Sequence, residues 1–152
     1  EVKEWFDGTV ILSGSIGDGF SVASSLALGA DFAYMGTRFI ATKEANADQS
    51  YKEMLIESAA DDIVYSNLFT GVSGNYLKPS IKNAGLDPNN LPEADKSAMN
   101  FGSGGNTDAK AWKDIWGSGQ GIGGIKDDPS VGDLVERIIE EYNQAKKEFN
   151  DK

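Results

Sequence analysis

Cysteine and histidine are both missing from the 152 residues. Their absence excludes disulfides, thiolate nucleophiles, Cys/His zinc sites and Ser-His triads within the chain. A cysteine-free chain is compatible with a reducing cytoplasm, and that is the expected location. Basic residues are scarce: 14 against 24 acidic ones, for a net charge of −10. No basic stripe follows a phosphodiester backbone, so nucleic acid is not an expected partner. The acidic excess reads as a solvated surface. No apolar run reaches the ~18 residues that a spanning helix needs, so no membrane partner is expected. The carboxylates suggest no metal site. Asp61–Asp62 and Asp127–Asp128 are adjacent pairs, adjacent residues do not converge on one face, and both read as solvated turns.

What is present is concentrated between Thr9 and Phe39, TVILSGSIGDGFSVASSLALGADFAYMGTRF. Val10, Ile11 and Leu12 form a continuous apolar run after an Asp7–Gly8 turn, as in a strand buried on both faces. Asp18 stands where a helix cap belongs, Val22 and Leu26 lie on the helix, and Gly29 ends it. Phe32–Met35 is a second strand. A strand, a crossover helix and a strand make a parallel pair. Small residues at both strand ends let an anion approach main-chain N–H groups. Gly14 and Ser15 form one end of this candidate phosphate floor, and Gly36 and Thr37 form the other. In a (β/α)8 barrel, the loops after strands seven and eight build such a floor. Asp18 is explained by its capping role. Arg38 reads as a structural ion pair rather than a phosphate counter-charge.

Beyond Phe39 the pattern changes. Ala47–Ala60 reads as an amphipathic helix with Tyr51, Met54, Leu55 and Ser58 on one side. Ile63–Thr70 reads as extended, Gly71–Gly74 as a turn, and Lys78–Ala84 as a short helix with Pro79 in its first turn. Asn75 and Tyr76 are possible substrate contacts. Asp87–Gly105 reads as loop, and Thr107–Trp116 as a helix in which Trp112 and Trp116 face a core. Gly117–Gly124 carries five glycines in eight residues, the composition of a mobile loop or a close ligand approach. Ser130 and Asp133 open a final helix that carries Leu134, Val135, Ile138, Ile139, Tyr142 and Ala145 at helical spacing.

Three segments, SGSIGDG at Ser13–Gly19, ALGADFAYMGTRFIATKEA at Ala27–Ala45 and WGSGQGIGGI at Trp116–Ile125, resemble the nitronate monooxygenase family, also called 2-nitropropane dioxygenases. The resemblance implies an FMN-dependent oxidoreductase on a (β/α)8 barrel, acting on small alkyl nitronates with O2. It implies that the residues matching Tyr34 and Met35 line the flavin and that Gln120 faces the flavin or the substrate mouth, beside the phosphate contacts of Gly14, Ser15, Gly36 and Thr37. Ser15 departs from the family's usual second glycine, and it either crowds the phosphate or bonds it through the hydroxyl. The family's catalytic base, usually a histidine, has no counterpart here.

A barrel of this type needs ~250 residues, and residue 1 is Glu within what reads as a helix end. The expected fold class is therefore α/β, the C-terminal portion of a barrel with its last two strands, plus a mainly helical cap. Residues 1–40 would carry the last strand-helix units, 41–119 the cap, and 120–152 a return loop and wall helix. The strands would need a missing N-terminal half, or a second copy of the chain, for cover. Two other readings remain open: a flavin-dependent enoyl-acyl-carrier-protein reductase, and a non-catalytic phosphate-binding or assembly fragment.

Overall fold

The computed structural model describes residues 1–93 and 113–151. The chain divides into two compact units, Glu1–Ile56 with Gly121–Lys152, and Glu57–Gln120.

The first unit starts with a short helix α1, Val2–Trp5. The strands β1 (Ile11–Ser13) and β2 (Phe32–Tyr34) pair in parallel, Ile11 with Phe32, Leu12 with Ala33 and Ser13 with Tyr34. Asp31 ties this sheet to α1: its carboxylate accepts from Lys3 Nζ and from the Val10 N–H, each at 2.7 Å. These bonds hold the Asp31 carboxyl below its ordinary range, the Lys3 bond contributing most.

The connection between the strands is α2, Gly19–Ala27, capped by Asp18 through a reciprocal box with Ser21. Leu28 follows the helix, and Gly29 then turns the chain at φ +94°, a conformation that a residue without Cβ adopts freely. The strand–helix–strand unit read from the sequence is thus present, with β1 set one residue later than the Val10–Leu12 run and β2 ending one residue before Met35.

After β2 come α3 (Thr37–Ile40) and α4 (Gln49–Glu57). On α4, Leu55 is fully buried and Tyr51 and Met54 are half-buried, as the spacing predicts. Lys52 is also buried, which the pattern did not suggest; its ammonium donates to the Thr42 carbonyl at 2.7 Å. The last helix, α6 (Val131–Asn150), is capped by Ser130, whose Oγ accepts from the Asp133 N–H. It lies along α2. Leu134 is buried, and Ile138, Tyr142 and Ala145 are half-buried, whereas Val135 and Ile139 stand exposed. The stripe used is narrower than the one read from spacing, because a single neighbouring helix covers only one row of side chains.

The second unit holds an antiparallel hairpin, β3 (Ile63–Ser66) with β4 (Gly74–Leu77), followed by α5 (Lys78–Asn83) with Pro79 in its first turn. Its core gathers Leu68, Phe69, Tyr76, Ile81 and Ile115. The Phe69 and Tyr76 rings meet edge to face at 4.9 Å.

Two expectations change here, and a third is reached only in part. The cap region is not mainly helical among the described residues: it holds the hairpin β3–β4, and Gly74, read as the end of a turn, begins the strand β4. Tyr76 is 2% exposed and belongs to this core, so it is not a surface contact for substrate. Most of the helix expected over Thr107–Trp116 lies outside the described residues, Trp112 included. Of the part that is described, Lys113 and Asp114 form a turn, and the chain then runs beside β4: the Leu77 N–H donates to the Trp116 carbonyl at 2.8 Å, and Gly117 bridges to Tyr76. The edge of β4 offers the backbone partners that hold Trp116 and Gly117 beside it.

Candidate functional site

The two strand ends meet because the pairing of Ser13 with Tyr34 places the next residues, Gly14 and Met35, side by side. Gly14 (φ +99°) and Ser15 (φ +56°) both adopt left-handed backbone. Such a conformation costs an L-residue about 1 kcal/mol, and residues held that way concentrate at ligand clamps and turns. Ser15 is the only non-glycine among the described residues with positive φ. Gly14 and Gly36 are both exposed, and a Cβ at either would meet no atom within 4 Å. Gly36 is the residue before the first turn of α3, and Thr37, half-buried, begins that turn. Tyr34 is 63% exposed and Met35 half-buried, so the two side chains differ as alternation along a strand requires.

The neighbouring N-terminus of α2 is already occupied. The Ser21 N–H donates to Asp18 Oδ1 at 2.7 Å, and the Gly19 N–H donates to Glu141 Oε2 at 2.8 Å. Two carboxylates thus stand where a helix dipole would otherwise attract an anion. A phosphate on this surface would be held by the turns at 14–15 and 36–37. Asp18 is a cap, as expected. Glu141 was not legible in the sequence, since its partner lies 122 residues away in the chain.

Arg38 does not face the turns as a counter-charge. It is 4% exposed, and its Nη2 lies 2.9 Å from Asp127 Oδ1. Arg137 grips the same carboxylate with two bonds, at 3.0 and 2.7 Å. Asp127 is therefore not a solvated turn residue. The hydrogen bonds from Arg137 are the largest influence and, with the charges of Arg137 and Arg38 and the Arg38 hydrogen bond, they outweigh the opposing effect of burial and hold its carboxyl below the usual range. The pair ties α3, which starts at the floor, to α6.

In the Gly-rich loop, Gln120 is exposed and opens a 3-10 turn, Gln120–Gly124. Gly121 lies against Ser15: a Cβ there would come within 3.0 Å of the Ser15 carbonyl oxygen. The sequence drew attention to Gln120 and not to this contact. The glycine run was its only signal.

A family model described as "Nitronate monooxygenase" matches residues 2–141. The chain belongs to the nitronate monooxygenase family. It is 35% identical over 79 residues to a nitronate monooxygenase of Paraburkholderia phytofirmans, covering 52% of this chain and 22% of that protein. It is 28% identical over 153 residues to a nitronate monooxygenase of Neurospora crassa, covering 92% of this chain and 39% of that protein. Its fold is similar to part of FabK from Thermotoga maritima (TM-score 0.69, 23% identity, 98% of this chain and 49% of that one). It is also similar to part of a nitroalkane oxidase from Streptomyces ansochromogenes (TM-score 0.67, 23% identity, 97% of this chain and 43% of that one). The chain thus spans less than half the length of each of these nitronate monooxygenases and solved relatives.

Proposed function

We propose that this chain forms the phosphate-binding end of an FMN-dependent oxidoreductase that oxidises alkyl nitronates with O2. Family membership over residues 2–141 carries the reading. The open space at Gly14 and Gly36, at the ends of two paired strands, supports it. Bound FMN would supply the redox chemistry. The chain's own groups bind and orient it. Backbone N–H groups at Gly14 and Ser15, with the Ser15 hydroxyl, meet the phosphate from one strand end. Gly36 and Thr37 meet it from the other, and Tyr34 and Met35 line the flavin. No residue of this chain is assigned as the proton-abstracting base. Asp18 is taken up by the α2 cap, and histidine, the residue type the family usually uses, is absent.

In this reading β1 and β2 are the last strands of a (β/α)8 barrel in a cytoplasmic enzyme. Strands from a preceding half, or from a second copy, cover the side chains that this chain leaves open. Residues 41–119 form the cap and 120–152 the return to the barrel wall. Flavin-dependent reduction of an enoyl thioester is the rival chemistry, and rapid NADH oxidation by the complete gene product would favour it.

Gly36→Val tests the floor. Gly36 has negative φ, −114°, and a Cβ there meets nothing, so the fold tolerates the substitution. The branched side chain would fill the space assigned to the phosphate. Loss of flavin from a folded complete gene product is expected, as read by absorbance and circular dichroism. Flavin retained at the wild-type ratio would remove Gly36 from the site.

A further inference from the structure

Gly121 and Ser15 are 106 positions apart, yet the side of Gly121 that would carry a Cβ faces the Ser15 backbone. A Cβ on Gly121 would stand 3.0 Å from the Ser15 carbonyl oxygen, 3.1 Å from its carbonyl carbon and 3.2 Å from its Cα. All three are backbone atoms, so no side-chain rotation relieves the crowding. Gly121 is not among the positive-φ glycines. Its backbone conformation therefore admits a side chain, and the Ser15 backbone is what would have to give way to one. On the other side of the contact, Ser15 is held at φ +56°, a conformation that persists in a non-glycine residue only when its surroundings enforce it. Gly123 and Gly124, in the same loop, would each accept a Cβ with no atom within 4 Å.

We propose that Gly121 is a positioning residue for the anion site: seated on the Ser15 backbone, it holds Ser15 in the left-handed turn that aims its N–H and hydroxyl at the flavin phosphate. The inference rests on the phosphate floor proposed above. The chain does not hold Ser15 by sequence preference, because serine disfavours this conformation and the two residues that follow it, Ile16 and Gly17, form no helix. The seat from Gly121 provides the restraint.

The test compares FMN with riboflavin, which lacks the phosphate, by fluorescence titration of the complete gene product after flavin removal. Gly121→Ala pushes the Ser15 backbone by a few tenths of an ångström. It is expected to weaken FMN about tenfold, the loss of roughly one charge-assisted hydrogen bond, while riboflavin changes less than about twofold. In a Ser15→Gly background, where the turn can readjust, Gly121→Ala is expected to cost FMN less than about twofold. Gly124→Ala stiffens the same loop without touching Ser15 and should leave FMN affinity unchanged. The inference is overturned if Gly121→Ala weakens both flavins alike, if Gly124→Ala weakens FMN equally, or if Gly121→Ala unfolds the protein in a way that Ser15→Gly does not reverse. A wild-type protein that binds riboflavin as tightly as FMN would overturn the phosphate floor itself and this inference with it. Retained discrimination in Gly121→Ala would overturn this inference alone.

Discussion

Asp127 carries two guanidinium groups, and they make different demands on it. Arg137 is 43% exposed and its charge is partly screened, whereas Arg38 is 4% exposed and has left water almost completely. Removing the carboxylate leaves Arg38 as an uncompensated buried cation, the costly half of a broken pair. Asp127 itself is 44% exposed, so water enters and moderates the cost. Asp127→Asn is expected to destabilise the protein by about 1–2 kcal/mol near neutral pH, as read by urea unfolding. The sign of the pH dependence follows from the depressed Asp127 pKa. A carboxylate held below its unfolded value of about 3.9 contributes fully above that pH, and loses the contribution as pH falls through the folded value. The gap between wild type and Asp127→Asn should therefore be flat above about pH 5 and close below about pH 4. A gap that widens on acidification would contradict the pairing. Arg38 was legible as a structural arginine from its place after a strand end. Its partner was not, because adjacent aspartates read as a turn and the two arginines that converge on Asp127 are 99 positions apart in the chain.

At the scale of elements, the α2–α6 crossing depends on one missing side chain. A Cβ at Gly19 would collide with the Ile138 carbonyl oxygen and the Tyr142 nitrogen, both backbone atoms of α6. The helices approach this closely so that Glu141 can accept from the Gly19 N–H. Gly19→Ala improves intrinsic helix propensity by up to about 1 kcal/mol, yet the overlap with a facing backbone should outweigh it. A net loss of about 1–3 kcal/mol in thermal or urea unfolding is expected. A stabilised Gly19→Ala variant would mean that the helices stand farther apart. Most elements could be read from the chain: β1, α2, β2, α5 and α6 each carry their own local signal in apolar runs, caps and a first-turn proline. β4 carries none, since Gly74 and Asn75 are turn residues by composition and become strand only through pairing with Tyr65 and Ser66. The glycine-bearing turns at the two strand ends were legible for the same reason as β1 and β2, through small residues that end an apolar run. The seat of Gly121 on Ser15 was not, because a glycine needed for packing looks the same in sequence as a glycine needed for a turn.

At the scale of the whole molecule, the two-stranded sheet is underdressed. Ile11 is 57% exposed and Phe32 60%, on strands whose composition is that of a buried parallel sheet. Each large apolar side chain left open forfeits part of the ~1.5–3 kcal/mol that full burial provides. Val135 and Ile139 lie open on α6 as well. In the proposed reading, these surfaces are the places where the rest of a barrel packs, and the strand-end turns are one side of a flavin pocket that this chain does not complete. The visible spectrum, with a flavin-to-protein ratio, measured on both the complete gene product and the 152-residue chain, tests that most directly. The expected result is about one FMN per chain in the complete product, where the flavin supplies the redox chemistry, and none retained by the isolated chain. A colourless complete product that takes up no added FMN would contradict the account, and the non-catalytic reading of this chain would replace it.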